Sequence, residues 1–317
     1  MRNVLKLESE YMRKLLLTLL ICVMLFTFTG CNNETSEYVG GKVRIVATIF
    51  PLYDFARQIV GDKAELTLLL QHGAEAHSYE PTVQDVLKIK ECDLFLTLGT
   101  NAEPWVDAII NDDSKKVNTL SAMDYAYLKE ETHEHSHSHE SVRYDQHVWT
   151  SLKNSKKIVE AICQELCRID EENAQYYKEN TKKYLSDISK LDESFEMLVK
   201  ESAGETIVFA DRFPFAYFVE EYGLEYFAAY PGCSAESEPG ASQVSKLIDL
   251  VKNENIPVVF YTETSNLQLP RAICEETGAE ARLFHSCHTV SKEELSQGVT
   301  YLDIMNKNYE ALKGALK

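Results

Sequence analysis

Long apolar runs are scarce in this chain of 317 residues. The clearest one, L-L-L-T-L-L-I-C-V-M-L-F-T-F at 15–28, falls short of the roughly twenty residues that a membrane-spanning helix needs. Positive charge is also in deficit. Lys and Arg number 32 against 50 Asp and Glu, for a net charge of −18. That balance argues against nucleic acid or an anionic membrane surface as the main partner and suits a protein that handles cations. The nucleophile-elbow pattern G-x-S-x-G is absent, which removes one large class of hydrolases. No internal sequence repeat is evident. The eight cysteines do not have the spacing of a dense disulfide framework.

The composition that remains is that of a soluble globular protein, 44% hydrophobic and 26% charged. The chain is long enough for two domains with real cores. Its first thirty residues differ from the rest. Arg13-Lys14, the short apolar run and the small-residue end Thr29-Gly30 read as a secretory signal peptide over 1–30. Met12 and Met1 are both credible starts. F-T-G-C at 28–31 resembles a bacterial lipobox, which makes Cys31 a lipidated first residue and 31–42 a flexible tether. An extracytoplasmic location anchored to the cell membrane follows. It also permits disulfides among Cys92, Cys163, Cys167, Cys233, Cys274 and Cys287, although buried thiols are the plainer reading for most of them. Cys163 and Cys167 sit four apart on an expected helix.

From 43 onward the pattern alternates. V-R-I-V-A-T-I-F (43–50), A-E-L-T-L-L-L (64–70) and C-D-L-F-L-T-L-G (92–99) read as strands, with helical spacing at 53–60 and 86–89 between them. The second half repeats the scheme with strands at 206–210, 225–230, 257–262 and 282–284 and a helix at 244–252. Alternation of this kind predicts an α/β fold with a mainly parallel sheet flanked by helices in each of two lobes. Between them Tyr177, Thr181, Tyr184, Ile188, Leu191, Phe195 and Leu198 form one helical stripe, uninterrupted by Pro or Gly from 171 to 203. About thirty residues at 1.5 Å each would span roughly 45 Å, so this helix is expected to run along both lobes as a rigid link. The domain plan is therefore an N-terminal lobe at 43–170, a linking helix at 171–203 and a C-terminal lobe at 204–317.

Chemistry in such folds gathers at the carboxyl ends of strands. His77 follows the strand at 64–70, His147 precedes a helix, and His285 and His288 follow the strand at 282–284. Imidazoles on separate loops make a site for borderline metals such as zinc. Residues 129–145 are different. H-E-H-S-H-S-H-E at 133–140 holds four of the nine histidines in an acidic stretch without apolar periodicity, which reads as an exposed loop.

These residues carry a resemblance. H-S-Y-E-P-T at 77–82, D-Q-H-V-W at 145–149, Glu238-Pro239, E-T-G-A at 276–279, the opening 45–62 and L-G-T-N-A-E-P-W at 98–105 together look like the metal-binding solute receptors of zinc/manganese-type ABC importers. The resemblance runs from about 43 to the C-terminus. It implies two α/β lobes joined by one long helix with a metal in the cleft. It also implies delivery of that metal, as cargo, to an ABC permease and its ATPase by a monomeric, non-enzymatic receptor. His77 and His147 fall on the family's first two ligands. At the third position, a histidine in the family, this chain has Arg212, which does not bind cations. Asp211 beside it, or water, is the alternative. At the fourth, usually acidic, stands His285, with His288 as runner-up. A nitrogen-rich set favours Zn²⁺ over manganese. Glu75 is a candidate to orient His77, and Glu263 to pair with Arg212. Cys233 and Cys287 are a candidate disulfide. His133, His135, His137 and His139 read as a weak accessory collector of zinc. The alternatives are a manganese receptor, a metal-binding adhesin and, as another class, a zinc hydrolase.

Overall fold

A computed structural model describes residues 41–70, 79–100, 102–111, 116–130, 143–230 and 239–316. Cys31, Glu75, His77, Cys233 and the four histidines at 133–139 lie outside the described residues.

Two four-stranded sheets organise the chain. The first contains β1 (Val43–Ala47), β2 (Ala64–Leu68), β3 (Leu94–Thr97) and β4 (Thr119–Ser121) in the order β2-β1-β3-β4. The second contains β5 (Thr206–Phe209), β6 (Glu225–Ala228), β7 (Val258–Tyr261) and β8 (Glu280–Leu283) in the order β6-β5-β7-β8. Every pairing is parallel. The two halves thus share a topology although their sequences show no repeat. Parallel neighbours need crossovers, and helices supply them. In the first sheet α1 (Phe50–Val60) links β1 to β2, and α2 (Val83–Glu91) links β2 to β3. Pro51 sits in the first turn of α1, where its missing N–H costs nothing. Gly61 ends α1 at φ 54°, and the Tyr176 hydroxyl occupies the space that a Cβ would take.

The alternation of each central strand divides the core. Ile45, Ala47, Leu94 and Leu96 face one cluster while Val46 and Phe95 face another. Ile207, Phe209, Val258 and Phe260 join that same first cluster, while Val208 and Val259 turn away to a third. One face of each sheet therefore contributes to a single core shared between the lobes, with Trp149, Tyr184, Phe195, Phe284 and Tyr301 at its centre.

Three further helices complete the first half: α3 (Trp105–Ile110), α4 (Leu152–Ile169) and α5 (Ala174–Glu201). The expected long helix is α5, whose 28 residues span about 42 Å. It buries Tyr177, Thr181, Tyr184, Ile188, Leu191 and Phe195. At its end Val199 is buried and Leu198 only partly so, as a 3.6-residue period drifts off a 3.5-residue stripe. The helix that packs along it is α4. The turn between them is closed by Asp170, which accepts hydrogen bonds from the Asn173 N–H (3.3 Å) and the Tyr177 hydroxyl (2.6 Å).

In the second half lie α6 (Ala216–Tyr222), α7 (Ala241–Asn253), α8 (Gln268–Thr277), α9 (Lys292–Ser296) and α10 (Tyr301–Lys313). The last of these reaches back to α1. Tyr301 N–H donates to Asp54 Oδ2 at 2.7 Å, and Arg57 Nη2 donates to Val299 O at 2.5 Å.

Candidate metal centre

His147 begins a short turn at Val148–Thr150 that leads into α4. Its position is set from the side by Asp145. One carboxylate oxygen, Oδ1, accepts the His147 backbone N–H at 2.8 Å and lies 2.9 Å from the ring Nδ1. The D-x-H spacing is thus an Asx turn with the imidazole folded onto the same oxygen. A carboxylate on Nδ1 fixes the proton there and makes Nε2 the ligating nitrogen, the usual arrangement behind a metal-bound histidine. The ring is buried, at 2% exposure. It meets the Trp149 ring edge-on at 5.4 Å and the His288 ring at 5.5 Å, perpendicular.

His288 comes from the loop after β8. That loop is bent sharply at Cys287, a non-glycine residue at φ 63°, in the left-handed region that is costly for such a side chain. Surrounding contacts hold the bend. Glu263, two residues past the end of β7, accepts from the Ser286 N–H (2.9 Å) and the Ser286 hydroxyl (2.6 Å). Ser286 Oγ in turn accepts the His288 N–H at 3.2 Å. The Trp149 indole donates to Ser286 O at 2.7 Å and its ring lies 5.0 Å from that of His288. Glu263 is therefore committed to shaping the loop that presents His288, and not to Arg212 as the sequence reading had it.

His285 sits in the same loop with a different role. Asn308 of α10 clasps its backbone, accepting its N–H and donating to its carbonyl, both at 2.8 Å. Its ring Nδ1 accepts the Cys287 N–H at 2.9 Å. A neutral imidazole that accepts at Nδ1 carries its proton on Nε2, so in this arrangement neither nitrogen offers a lone pair. The geometry sets His285 as a brace of the loop and brings His288 to His147.

Asp211 follows β5, at the point where the strand order of the second sheet reverses. Its Oδ1 accepts the Arg212 N–H at 2.8 Å. Its Oδ2 accepts both the N–H (3.1 Å) and the hydroxyl (2.9 Å) of Thr262. The carboxylate ties the ends of β5 and β7 together. The Arg212 guanidinium lies over the Tyr230 ring at 5.8 Å. Cys287 is a fully buried free thiol, pushed well up from its ordinary value by burial; the Cys233 expected to bridge to it lies outside the described residues. Among the described residues no group of three His, Cys, Asp or Glu side chains converges on one point. The chain resumes two residues past His77 at Tyr79, whose ring stands against Trp105 at 5.7 Å and whose hydroxyl donates to Asp85 at 3.2 Å.

The centre lies at a seam between lobes, and Tyr217 of α6 binds that seam. Its hydroxyl donates to Asp145 O at 2.6 Å and accepts the Lys129 N–H at 3.1 Å, while Lys129 also pairs with Glu220. These contacts, with the Glu130–Tyr144 bridge, pin both ends of the histidine-rich segment. Sequence reasoning missed Tyr217, Ser286 and Asn308, because their partners lie far away in the chain. It quoted the D-x-H motif without drawing the role of Asp145 from it.

Known proteins resemble this chain in sequence and in fold. The family described as the periplasmic component A of zinc-uptake complexes (ZnuA) matches residues 45–315. The high-affinity zinc uptake system protein ZnuA of Bacillus subtilis is 30% identical over 298 residues, or 90% of this chain and 93% of that protein. The zinc-binding lipoprotein AdcA of Streptococcus pneumoniae is 30% identical over 309 residues, and this chain spans 61% of its length. Among solved structures, the metal-dependent lipoprotein YcdH of Bacillus subtilis superposes with a TM-score of 0.75 at 28% identity, covering 87% of this chain and 99% of that one. Zn(II)-bound AdcA of Streptococcus pneumoniae gives 0.73 at 29% identity, covering 87% and 58%.

Proposed function

Because the chain belongs to the family of the periplasmic component A of zinc-uptake complexes, we propose that it is the extracytoplasmic zinc receptor of an ABC importer. In this reading it is a monomer anchored through a lipid on Cys31, and it hands Zn²⁺ to a membrane permease driven by an ATPase. The observation that carries the reading is the meeting of His147 and His288, ring centroids 5.5 Å apart, with Asp145 behind the first. Two imidazoles bound to one tetrahedral zinc at 2.0–2.1 Å would place their centroids roughly 5 Å apart. His77 is the proposed third ligand, on the strength of its motif. Asp211 is the weaker candidate for the fourth, since both of its oxygens already hold backbone or hydroxyl donors; water is the other.

Nitrogen donors favour zinc over manganese, which prefers oxygen. A hydrolase would need an open coordination position and a carboxylate free to act as general base. Glu263, the carboxylate next to the His288 loop, is engaged by Ser286 instead. Capture and delivery require only that the rings be neutral to bind and that the loops shift to release. Zinc titration by calorimetry in competition with a chelator tests the assignment. The expected result is one tight site, weakened more than about 100-fold by His147→Ala or His288→Ala, beyond the loss typical of outer-sphere changes. Unchanged affinity in both variants would refute the site.

A further inference from the structure

A second cluster of metal-seeking side chains lies on the hairpin of α4 and α5. Cys163 and Cys167, one turn apart on α4, have their sulfurs 3.9 Å from each other. Both are free thiols. Residues four apart on a helix hold their Cβ atoms about 5–6 Å apart, whereas a disulfide requires about 3.5–4.5 Å. Oxidation to a bridge would therefore unwind the turn. The sulfur separation suits a different bond. Two thiolates at about 2.3 Å from one tetrahedral metal stand roughly 3.8 Å apart.

The surroundings fit an occupant. An open groove of about 420 Å³, lined in part by Cys163, Lys178, Thr181 and Lys182, gives access from solvent. Thr181 lines this groove and is 94% buried, and its hydroxyl has no hydrogen-bond partner among the described residues. The Lys178 ammonium favours the thiolate form of Cys167.

We propose that Cys163 and Cys167 form a two-thiolate site for a soft, thiophilic metal ion, separate from the histidine centre. Binding exchanges two thiol protons for two metal–sulfur bonds, with no change of oxidation state. Partial burial and the neighbouring Cys163 sulfur push the Cys167 thiol up to about 11. Affinity should therefore climb steadily with pH through the neutral and mildly alkaline range.

Cd²⁺ is the probe, added to the full chain already loaded with zinc. Thiolate-to-metal charge transfer absorbs in the ultraviolet where imidazole ligation does not, so the band reports thiolate ligation apart from the histidine centre, and the two substitutions below assign it to this pair. One equivalent should develop it, with proton release. Cys167→Ser should weaken the Cd²⁺ affinity read from the band by at least about 100-fold, because the second arm of a chelate acts at millimolar effective concentration or above. Cys163→Ser should do the same from the other arm. Zinc affinity at the histidine centre, unchanged in both variants, shows that they are folded. A band that survives either substitution overturns the proposal. So does a Cys163–Cys167 disulfide in the intact chain by mass spectrometry. Loss of zinc binding with the cadmium band retained would count against the proposed receptor function and leave this site standing.

Discussion

Asp145 does for His147 what no zinc ligand does for itself: it selects the tautomer. With Nδ1 held at 2.9 Å, Nε2 is ready for metal without a search among ring orientations. Asp145→Ala should therefore lower zinc affinity by about 10- to 100-fold while the fold persists, as competition titration and circular dichroism would show together. His285→Ala should change affinity less than about tenfold, since its ring is bonded inward to Cys287. A loss as large as that of His288→Ala would restore His285 as a ligand. The motif D-Q-H-V-W singles out His147 in the sequence, just before a helix, but not the turn that Asp145 makes there. The choice between His285 and His288 was not readable, because it depends on a left-handed residue between them, and nothing about a cysteine announces φ 63°. H-E-H-S-H at 133–137 matches the letters of the H-E-x-x-H zinc-peptidase motif, but that motif works on a helix with an apolar second face, and this polar stretch has none.

Among elements, the strands were the most legible. Each central strand alternates between two clusters, so apolar content and period agreed. β4, three residues long, carries too little pattern to be read, whereas α10 has a start signal in Gly298 and the Thr300–Asp303 capping box. Its role emerges only in three dimensions. Asp54 is wholly buried in α1 and accepts from Arg57, Gln58 and the Tyr301 N–H that opens α10. Burial pushes its carboxyl up from the usual range, against the pull of Arg57 beside it. Asp54→Ala would leave Arg57 and the first turn of α10 without their acceptor, and should cost about 3–5 kcal/mol in urea unfolding. Asp54→Asn, which keeps an acceptor oxygen, should cost less. Equal losses would mean that volume, not charge, matters there.

At the scale of the molecule, the lobes share one core and are bound by Trp149–Ser286, Tyr217–Asp145 and Tyr301–Trp149 contacts. Small-angle scattering with and without zinc should therefore differ little, since wide hinge opening would break this core. Lowering the pH should weaken zinc binding, because a protonated ring has no lone pair to give. Deleting 133–140 should leave one tight site in calorimetry and remove only weaker binding. Its failure would move the main site into that segment.

The bond from Tyr301 to Asp54 joins residues 247 positions apart. Closing so long a loop is entropically costly, and contacts of such separation form slowly. The N-terminal half is thus made long before the segment that completes it. During export and refolding it should linger with Asp54 unsatisfied, a state exposed to proteases and chaperones. A chain stopped at residue 300 should be degraded in the cell even though both sheets are intact.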